Sequence, residues 1–360
     1  MIVFEVGEFR AKEISKMRLT CRSFAAWGKP HAFCHFTFRP CDEDPIHRDP
    51  NAIHHKALAF WTSDSIAPFV RECTVSSAFG YSARGVQGLP LEAFFLNLTK
   101  LVNVTSIQFQ FVPFDNLALS QLGRLEKLKA VELIDCTIIA QDTPAVVNVA
   151  NVQLRSYTRL VDSRERGRFG WLDIFHAPAM RRLRIALSEP RAVHLRGVMT
   201  ADSPAPASES DCVKEHFMRL LTHFGALEEL RVEPFETCPR GDGNPYKFQV
   251  NLPSLRLFDG PTDLLECFPA GDALTELKLH SVSNNRRLST RDVQELRLSD
   301  SIRSLTIHVD DLRRSLFTKI TSSCPQLLHL DLHASRVDID VSIAQRPFLG
   351  FRTDNNFHRN

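Results

Sequence analysis

A short apolar phrase recurs along most of this chain and constrains its fold more than any other feature. The phrase is one apolar residue, two residues of any kind, a second apolar residue, one residue, and a third apolar residue. Because its second half alternates, each copy predicts a short strand with one apolar face. Ten copies occur, at Val70/Cys73/Val75, Val104/Ile107/Phe109, Leu128/Val131/Leu133, Val149/Val152/Leu154, Met180/Leu183/Ile185, Leu227/Leu230/Val232, Leu252/Leu255/Leu257, Leu274/Leu277/Leu279, Ile302/Leu305/Ile307 and Leu327/Leu330/Leu332.

Between these phrases the apolar period changes to that of a helix. One apolar stripe covers residues 91–101, and similar stripes occupy residues 53–61, 213–224 and 312–320. The last stripe follows the pair Asp310–Asp311, whose carboxylates we expect to cap the helix by accepting hydrogen bonds from free amides. Strands that alternate with helices through short links predict a parallel sheet lined by helices.

The spacing of the phrases matches that of leucine-rich repeats, which have about 20 to 29 residues per repeat. We therefore predict the α/β class, with an irregular leucine-rich-repeat solenoid over residues 41–345 whose curved parallel sheet is lined by helices. The largest gap between phrases, 47 residues, contains a polar, proline-containing segment at 200–212 that predicts a flexible insertion. Residues 1–40 are expected to form a separate helical segment, and residues 346–360 a C-terminal tail.

The same alternation of strands and helices also fits a doubly wound α/β enzyme, such as a hydrolase or a transferase. That fold places fully apolar strands at its centre and a glycine-rich turn after the first strand. This chain keeps a polar residue inside its strands and lacks the Gly-x-Gly-x-x-Gly, Gly-x-Ser-x-Gly and His-Glu-x-x-His motifs. We therefore predict no catalytic residues, no cofactor and no enzymatic activity.

The net charge, the hydropathy and the cysteine content constrain where the protein is located and what it binds. A net charge of +2 argues against a nucleic-acid coat, and no apolar run reaches the length of a membrane span. Nine cysteines without a Cys-x-x-Cys pair indicate reduced thiols, so we expect a cytosolic or nuclear protein. The cluster of His31, Cys34, His35 and Cys41 does not have the spacing of a zinc site, and we predict no metal.

The residue between the last two apolar positions of each phrase is expected to face away from the core. Four consecutive phrases place a cation there: Arg184, Arg231, Arg256 and Lys278. Two residues further along, the last three phrases of the chain place a histidine: His280, His308 and His333. Like charges on strands about 4.8 Å apart repel each other. This predicts that an acidic or phosphorylated segment binds across the face, although exposed strands often carry cations without any ligand.

The segment Leu19-Thr20-Cys21-Arg22-Ser23-Phe24, followed by Trp27, reads as a short amphipathic helix. We expect Leu19, Phe24 and Trp27 to be its buried contacts. The simplest interpretation of the other two residues is a core cysteine at Cys21 and a solvated arginine at Arg22.

This segment resembles the second half of an F-box, which typically ends in leucine, one residue, Cys-Arg, one residue and an aromatic residue. Residues 31–38 look like the strand that follows the F-box in fungal F-box proteins with leucine-rich repeats, and residues 65–71 resemble another phrase of that group. The first proline is Pro30, so the opening Leu-Pro pair of an F-box is not seen, and we expect an F-box that is truncated, degenerate or lost from an incorrect start site.

The resemblance implies a role in a cullin-type (SCF) ubiquitin ligase. The segment would dock a Skp-type adaptor, and the repeats would recognise the protein substrate. The adaptor-binding residues carried over from the motif are Leu19, Cys21, Arg22, Phe24 and Trp27. A freestanding leucine-rich-repeat scaffold without a ligase is the alternative.

Overall fold

The computed structural model describes most of the chain, in two compact units that comprise residues 1–149 and 150–360. Each unit is described by itself. The described residues are 22–39, 50–77, 88–139, 147–156, 170–187, 218–233, 249–265, 267–268, 273–280, 288, 293, 296, 298–338 and 349–353. The predicted insertion at 200–212 and residues Leu19 and Cys21 lie outside them.

The N-terminal unit contains a parallel sheet whose strands follow chain order. Its four strands are β1 (His35–Phe38), β2 (Glu72–Ser76), β3 (Ser106–Gln110) and β5 (Ala130–Ile134). Two shorter strands, β4 (Pro113–Phe114) and β6 (Thr137–Ile138), form a second parallel pair. The strands predicted from the phrases at Val70, Val104 and Leu128 are therefore present.

Four helices are described in this unit; the first precedes β1, and the other three lie between strands. They are α1 (Arg22–Ala32), α2 (Pro50–Trp61), α3 (Gly88–Leu98) and α4 (Asn116–Gly123). The helices predicted over residues 53–61 and 91–101 are confirmed as α2 and α3. Helix α4 begins after Asp115, whose carboxylate accepts a hydrogen bond of 2.8 Å from the Ala118 amide. Such a cap satisfies an amide that has no partner inside the helix.

Aromatic rings fill the core of the N-terminal unit. Phe38 stacks on Phe94 with ring centroids 5.2 Å apart, and Phe109 meets Phe114 edge to face at 4.8 Å. Phe94, Phe109 and Phe114 are fully buried. The inward phenylalanines of β1 and β3 reach those of α3 and β4 and bury large apolar areas.

A left-handed residue follows two successive strands of this unit. Phe111, directly after β3, has a φ of 56°, and Asp135, directly after β5, has a φ of 48°. Non-glycine residues seldom adopt this conformation. The bend lets the Phe111 amide donate to the Ile134 carbonyl at 2.8 Å, and it turns the chain from β3 into β4 and from β5 into β6.

The C-terminal unit also contains parallel strands whose spatial order is their chain order. They are β7 (Asn151–Ser156), β8 (Arg182–Leu187), β9 (Glu229–Val232), β10 (Leu257–Pro261), β11 (Glu276–His280), β12 (Ser304–Arg313), β13 (His329–Asp338) and β14 (Leu349–Thr353). Strand β14 lies within residues 346–360, for which the sequence predicts a C-terminal tail. Its pairing with β13 shows that this segment continues the sheet.

Backbone hydrogen bonds repeat from strand to strand in this unit. One carbonyl just before each strand accepts the amides of two consecutive residues of the next repeat, at 2.8 to 3.1 Å. The acceptors are Ala150, Arg181, Glu228, Arg256, Thr275 and Arg303. This shared acceptor fixes the register of the neighbouring pairs from β7 to β13. Inward residues such as Leu230, Leu277 and Leu305 then form a continuous buried row.

Helical structure in the C-terminal unit lies between the strands. Its described part comprises residues 218–221, α5 (Thr262–Leu265), α6 (Arg314–Ser323) and two short 3-10 turns. The capping role predicted for Asp310–Asp311 is wrong, because β12 continues through both residues to Arg313 and no side chain caps α6. None of the helices in the described part of the chain is long and apolar enough to cross a bilayer.

Candidate functional site

The outward face of the C-terminal sheet carries the polar residues that alternate with the buried ones. Backbone register aligns one position per strand across β8 to β13. From β8 onward this outward row reads Arg184, Arg231, Asp259, Lys278, Thr306 and Asp331. Neighbouring positions in such a row lie about 4.8 Å apart, so adjacent side chains interact directly.

Arg256 is not part of this row, contrary to the sequence prediction. Strand β10 begins at Leu257, and its register aligns Phe258 with Leu230 and Leu277. The position next to Arg231 and Lys278 therefore belongs to Asp259. Arg256 lies one residue before the strand, where its side chain is exposed.

The predicted phrase at Leu252 is displaced by three residues because Phe258 is the bulkier apolar anchor. Its ring is fully buried and packs 5.4 Å from the ring of Phe268. Gly260 occupies the next inward position, and a Cβ there would lie 2.8 Å from the Phe258 ring. The sequence signal that we missed is this combination of phenylalanine with a glycine two residues later.

The basic part of the face is neutralised by carboxylates. Arg184 donates to Glu233 at 2.7 Å, and Arg182 donates to Glu229 at 3.1 Å. Arg231 lies 3.8 Å from the second oxygen of Glu229. The prediction of four stacked, uncompensated cations is therefore wrong, because the acids that follow or precede these arginines in sequence share their face.

The neighbours of Asp259 on this face lower the pKa of its carboxyl group. His280 donates from Nε2 to Asp259 Oδ1 at 2.6 Å. Burial alone would raise the pKa of Asp259, but the hydrogen bond and charge of His280, with Lys278 and Arg231 nearby, hold it below its ordinary value. Asp259 thus stays ionised and fixes the orientation of the His280 ring.

Three histidines form a ladder beside this row, at the positions that the sequence indicated. His308 lies between His280 and His333. Its ring centroid is 5.8 Å from that of His280 and 4.3 Å from that of His333. The rings of His308 and His333 are parallel to within 6°. His333 also donates from Nε2 to Asp331 at 3.2 Å. We call these three residues the histidine ladder; a carboxylate contacts each of its two ends.

The outward face of the N-terminal unit has a different character. His35 lies 3.4 Å from Glu72, and Gln108 donates to Glu132 at 3.1 Å. The positions between them are threonines and glutamines of β1 to β3. This face therefore presents mostly uncharged hydrogen-bonding groups.

The F-box-like residues are only partly described. Arg22 and Phe24 lie on α1, and Trp27 follows on the same helix. Trp27 was expected to be buried, but 43% of its surface is exposed and its ring lies 5.1 Å from that of His31. Lys29 places its ammonium 5.1 Å from the ring of Phe69, so this contact holds α1 against the short 3-10 turn Ala67–Phe69.

Cysteines and acidic groups of the described residues form no recognisable reactive centre. Burial raises the pKa of the Cys136 thiol to about 12 and that of Cys73 further still, so neither forms a thiolate at neutral pH. In the part of the chain that the structure describes, no group of three or more His, Cys, Asp or Glu side chains is arranged to hold a metal ion.

No known protein family matches the chain, and no curated protein is significantly similar to it in sequence.

Proposed function

We propose that the chain is a non-enzymatic protein-interaction module that folds as an irregular leucine-rich-repeat solenoid. Chain-order parallel strands, the repeated double acceptor before each strand and the continuous inward apolar row support this interpretation. A repeat of this kind buries its apolar face only against its neighbours. Stacked repeats leave a long sheet face for binding.

The observation that carries the proposal is the outward row of the C-terminal sheet. All its side chains except that of Thr306 are ionic, the imidazoles of the histidine ladder lie beside them, and the side chains of Arg184, Arg231 and Asp331 are more than 40% exposed. Regularly spaced hydrogen-bonding groups over several strands suit an extended peptide or a protein surface better than a small substrate. Protein recognition is therefore the function that this face supports best.

We further propose that the bound protein is the substrate of a cullin-type ubiquitin ligase. The F-box-like segment supports this role through its sequence resemblance. The exposure of the Trp27 ring adds a physical reason, because a large exposed aromatic residue is a common anchor in protein interfaces. The Skp-type adaptor would contact α1, and the cullin would join through that adaptor. A cytosolic or nuclear location follows from this role.

Co-purification of the full chain with a Skp-type adaptor and a cullin tests the ligase role. Trp27→Ala should abolish recovery of the adaptor. Phe60→Ala is the matched control, because Phe60 is also an exposed aromatic residue on a helix of the same unit, at 49%. Recovery of neither adaptor nor cullin would refute the ligase role and favour the freestanding scaffold.

A further inference from the structure

The histidine ladder brings three imidazole rings together on the outward face, with centroids 5.8 and 4.3 Å apart. Imidazoles have an unperturbed pKa of about 6.5, so they gain or lose a proton within the physiological range. We propose that the ladder of His280, His308 and His333 is a proton-dependent gate for an anionic protein segment. The gate is closed when the imidazoles are neutral and open when they are protonated. It rests on the proposed function only in taking this face as a protein-binding surface.

The fixed charges around the ladder explain the closed state. Those described on the outward faces of β9 to β13 are two cations, Arg231 and Lys278, and five carboxylates, namely Glu229, Asp259, Glu276, Asp310 and Asp331. With neutral imidazoles this part of the face is net negative and repels an anion. One further histidine, His329, lies exposed on the same face of β13.

Protonation of the ladder reverses the balance. The three imidazolium rings of the ladder and that of His329 add four positive charges, so six cations then face five carboxylates among the described groups. The His308 and His333 rings are only 4.3 Å apart, and two imidazolium ions at this distance repel each other. An anionic segment lying across the rings removes that repulsion. Proton uptake and anion binding therefore favour each other, as linkage requires.

The geometry suits this role because the ladder is held in place from both ends. Asp259 contacts His280 at 2.6 Å and Asp331 contacts His333 at 3.2 Å, so the outer rings keep their orientation through a pH change. The middle ring, His308, sits on β12 between them and is half-buried. A segment that crosses the strands meets all three rings in sequence.

A binding experiment on the full chain tests the gate. The probe is a fluorescein-labelled hexaglutamate peptide, with anisotropy recorded at about pH 6 and about pH 7.5 at constant ionic strength. We expect at least about tenfold tighter binding at the lower pH. Replacing all three ladder residues by glutamine should remove this difference. His55→Gln, an exposed histidine of the N-terminal unit, should retain it. Equal binding at both pH values, no binding at either, or a pH dependence that survives in the triple variant would overturn the gate.

A second measurement does not depend on any partner. The chain is labelled with ¹³C on histidine, and the chemical shift of each imidazole is followed by NMR as the pH is changed. The titration curve of each ladder histidine should be broader than the curve of a single independent site. His308→Gln should convert the two remaining curves to one-site form and leave that of His55 unchanged. One-site curves in the unaltered chain would show that the protonation of one ring does not affect that of its neighbours, and would overturn the gate. Broad curves in a chain that binds no protein would refute the proposed function alone.

Discussion

Substitution of Gly260 tests the register of β10, which is the point where sequence and structure disagree most. A Cβ on Gly260 would lie 2.8 Å from Cζ and 3.3 Å from Cε2 of Phe258, and 3.4 Å from the Val232 carbonyl oxygen. Phe258 is fully buried against Phe268 and has little space to move. In the register predicted from the sequence phrase, Gly260 would follow the strand and tolerate a methyl group.

The size of the effect follows from two opposing contributions. Overpacking of a core by one methyl group costs about 1–3 kcal/mol. Alanine also restricts the unfolded chain relative to glycine, which stabilises the fold by about 0.4–1 kcal/mol. We therefore expect Gly260→Ala to lower the free energy of unfolding by about 1–2 kcal/mol. Gly225→Ala, with no atom within 4 Å of its Cβ, should be neutral or slightly stabilising.

Urea unfolding monitored by tryptophan fluorescence measures both variants. Replacing Trp27 and Trp61 by phenylalanine leaves Trp171 as the reporter of the C-terminal unit. Phe258→Leu removes the ring atoms that the new methyl group meets, so Gly260→Ala should cost less in that background, with a coupling of about 1 kcal/mol. Equal stabilities of Gly260→Ala and Gly225→Ala, or no coupling to Phe258→Leu, would refute the register and the packing argument.

Three further predictions concern single groups. The pKa of Asp259 lies below its ordinary value of 3.8, so its ionised form stabilises the fold fully above about pH 4 and ceases to do so as the pH falls through the folded value. Asp259→Asn should therefore be less stable than the unaltered chain at about pH 6, by about 1 kcal/mol, and approach it in urea titrations at about pH 2. Native alkylation at about pH 8, read by peptide mass spectrometry, should label the partly exposed Cys34 but not the buried Cys136 until the chain unfolds; equal labelling of both thiols would contradict the burial argument. Arg184→Ala and Glu233→Ala should each cost less than about 1 kcal/mol in urea unfolding, because this 2.7 Å ion pair is exposed to screening water.

The strands of the fold were largely predictable, because their signal is local. Alternation of apolar and polar residues fixes both the strand and its buried face, and it identified nine of the described strands, β2, β3, β5, β7, β8, β9, β11, β12 and β13. Two other features depend on contacts between distant residues. Asp310–Asp311 has the sequence of a helix cap, yet pairing with β13 extends β12 through it. The five residues of β14 carry no repeat phrase, and they form a strand because β13 offers them hydrogen-bonding partners.

The sequence predicted where the candidate site lies, but it did not predict the charge of the site. The alternation placed Arg184, Arg231, Lys278 and the histidine ladder on one face. Glu229 lies two residues before Arg231 on the same strand. Glu233, in contrast, lies 49 residues after its partner Arg184 and just beyond the end of β9, and no local pattern links that pair. Because the buried Phe258 sets the register of β10, Asp259 occupies the position in the row that the sequence assigned to Arg256. A displacement of three residues thus places a carboxylate where a cation was predicted.

Site-specific photo-crosslinking tests the central claim, that the outward sheet face of the C-terminal unit binds another protein. A benzophenone amino acid would replace Thr306, in the outward row on β12, or Thr318, an exposed threonine on α6 of the same unit. After irradiation in cells, the account predicts a covalent adduct of higher mass from the Thr306 position and none from Thr318. Adducts from Thr318 alone, or from neither position, would contradict it.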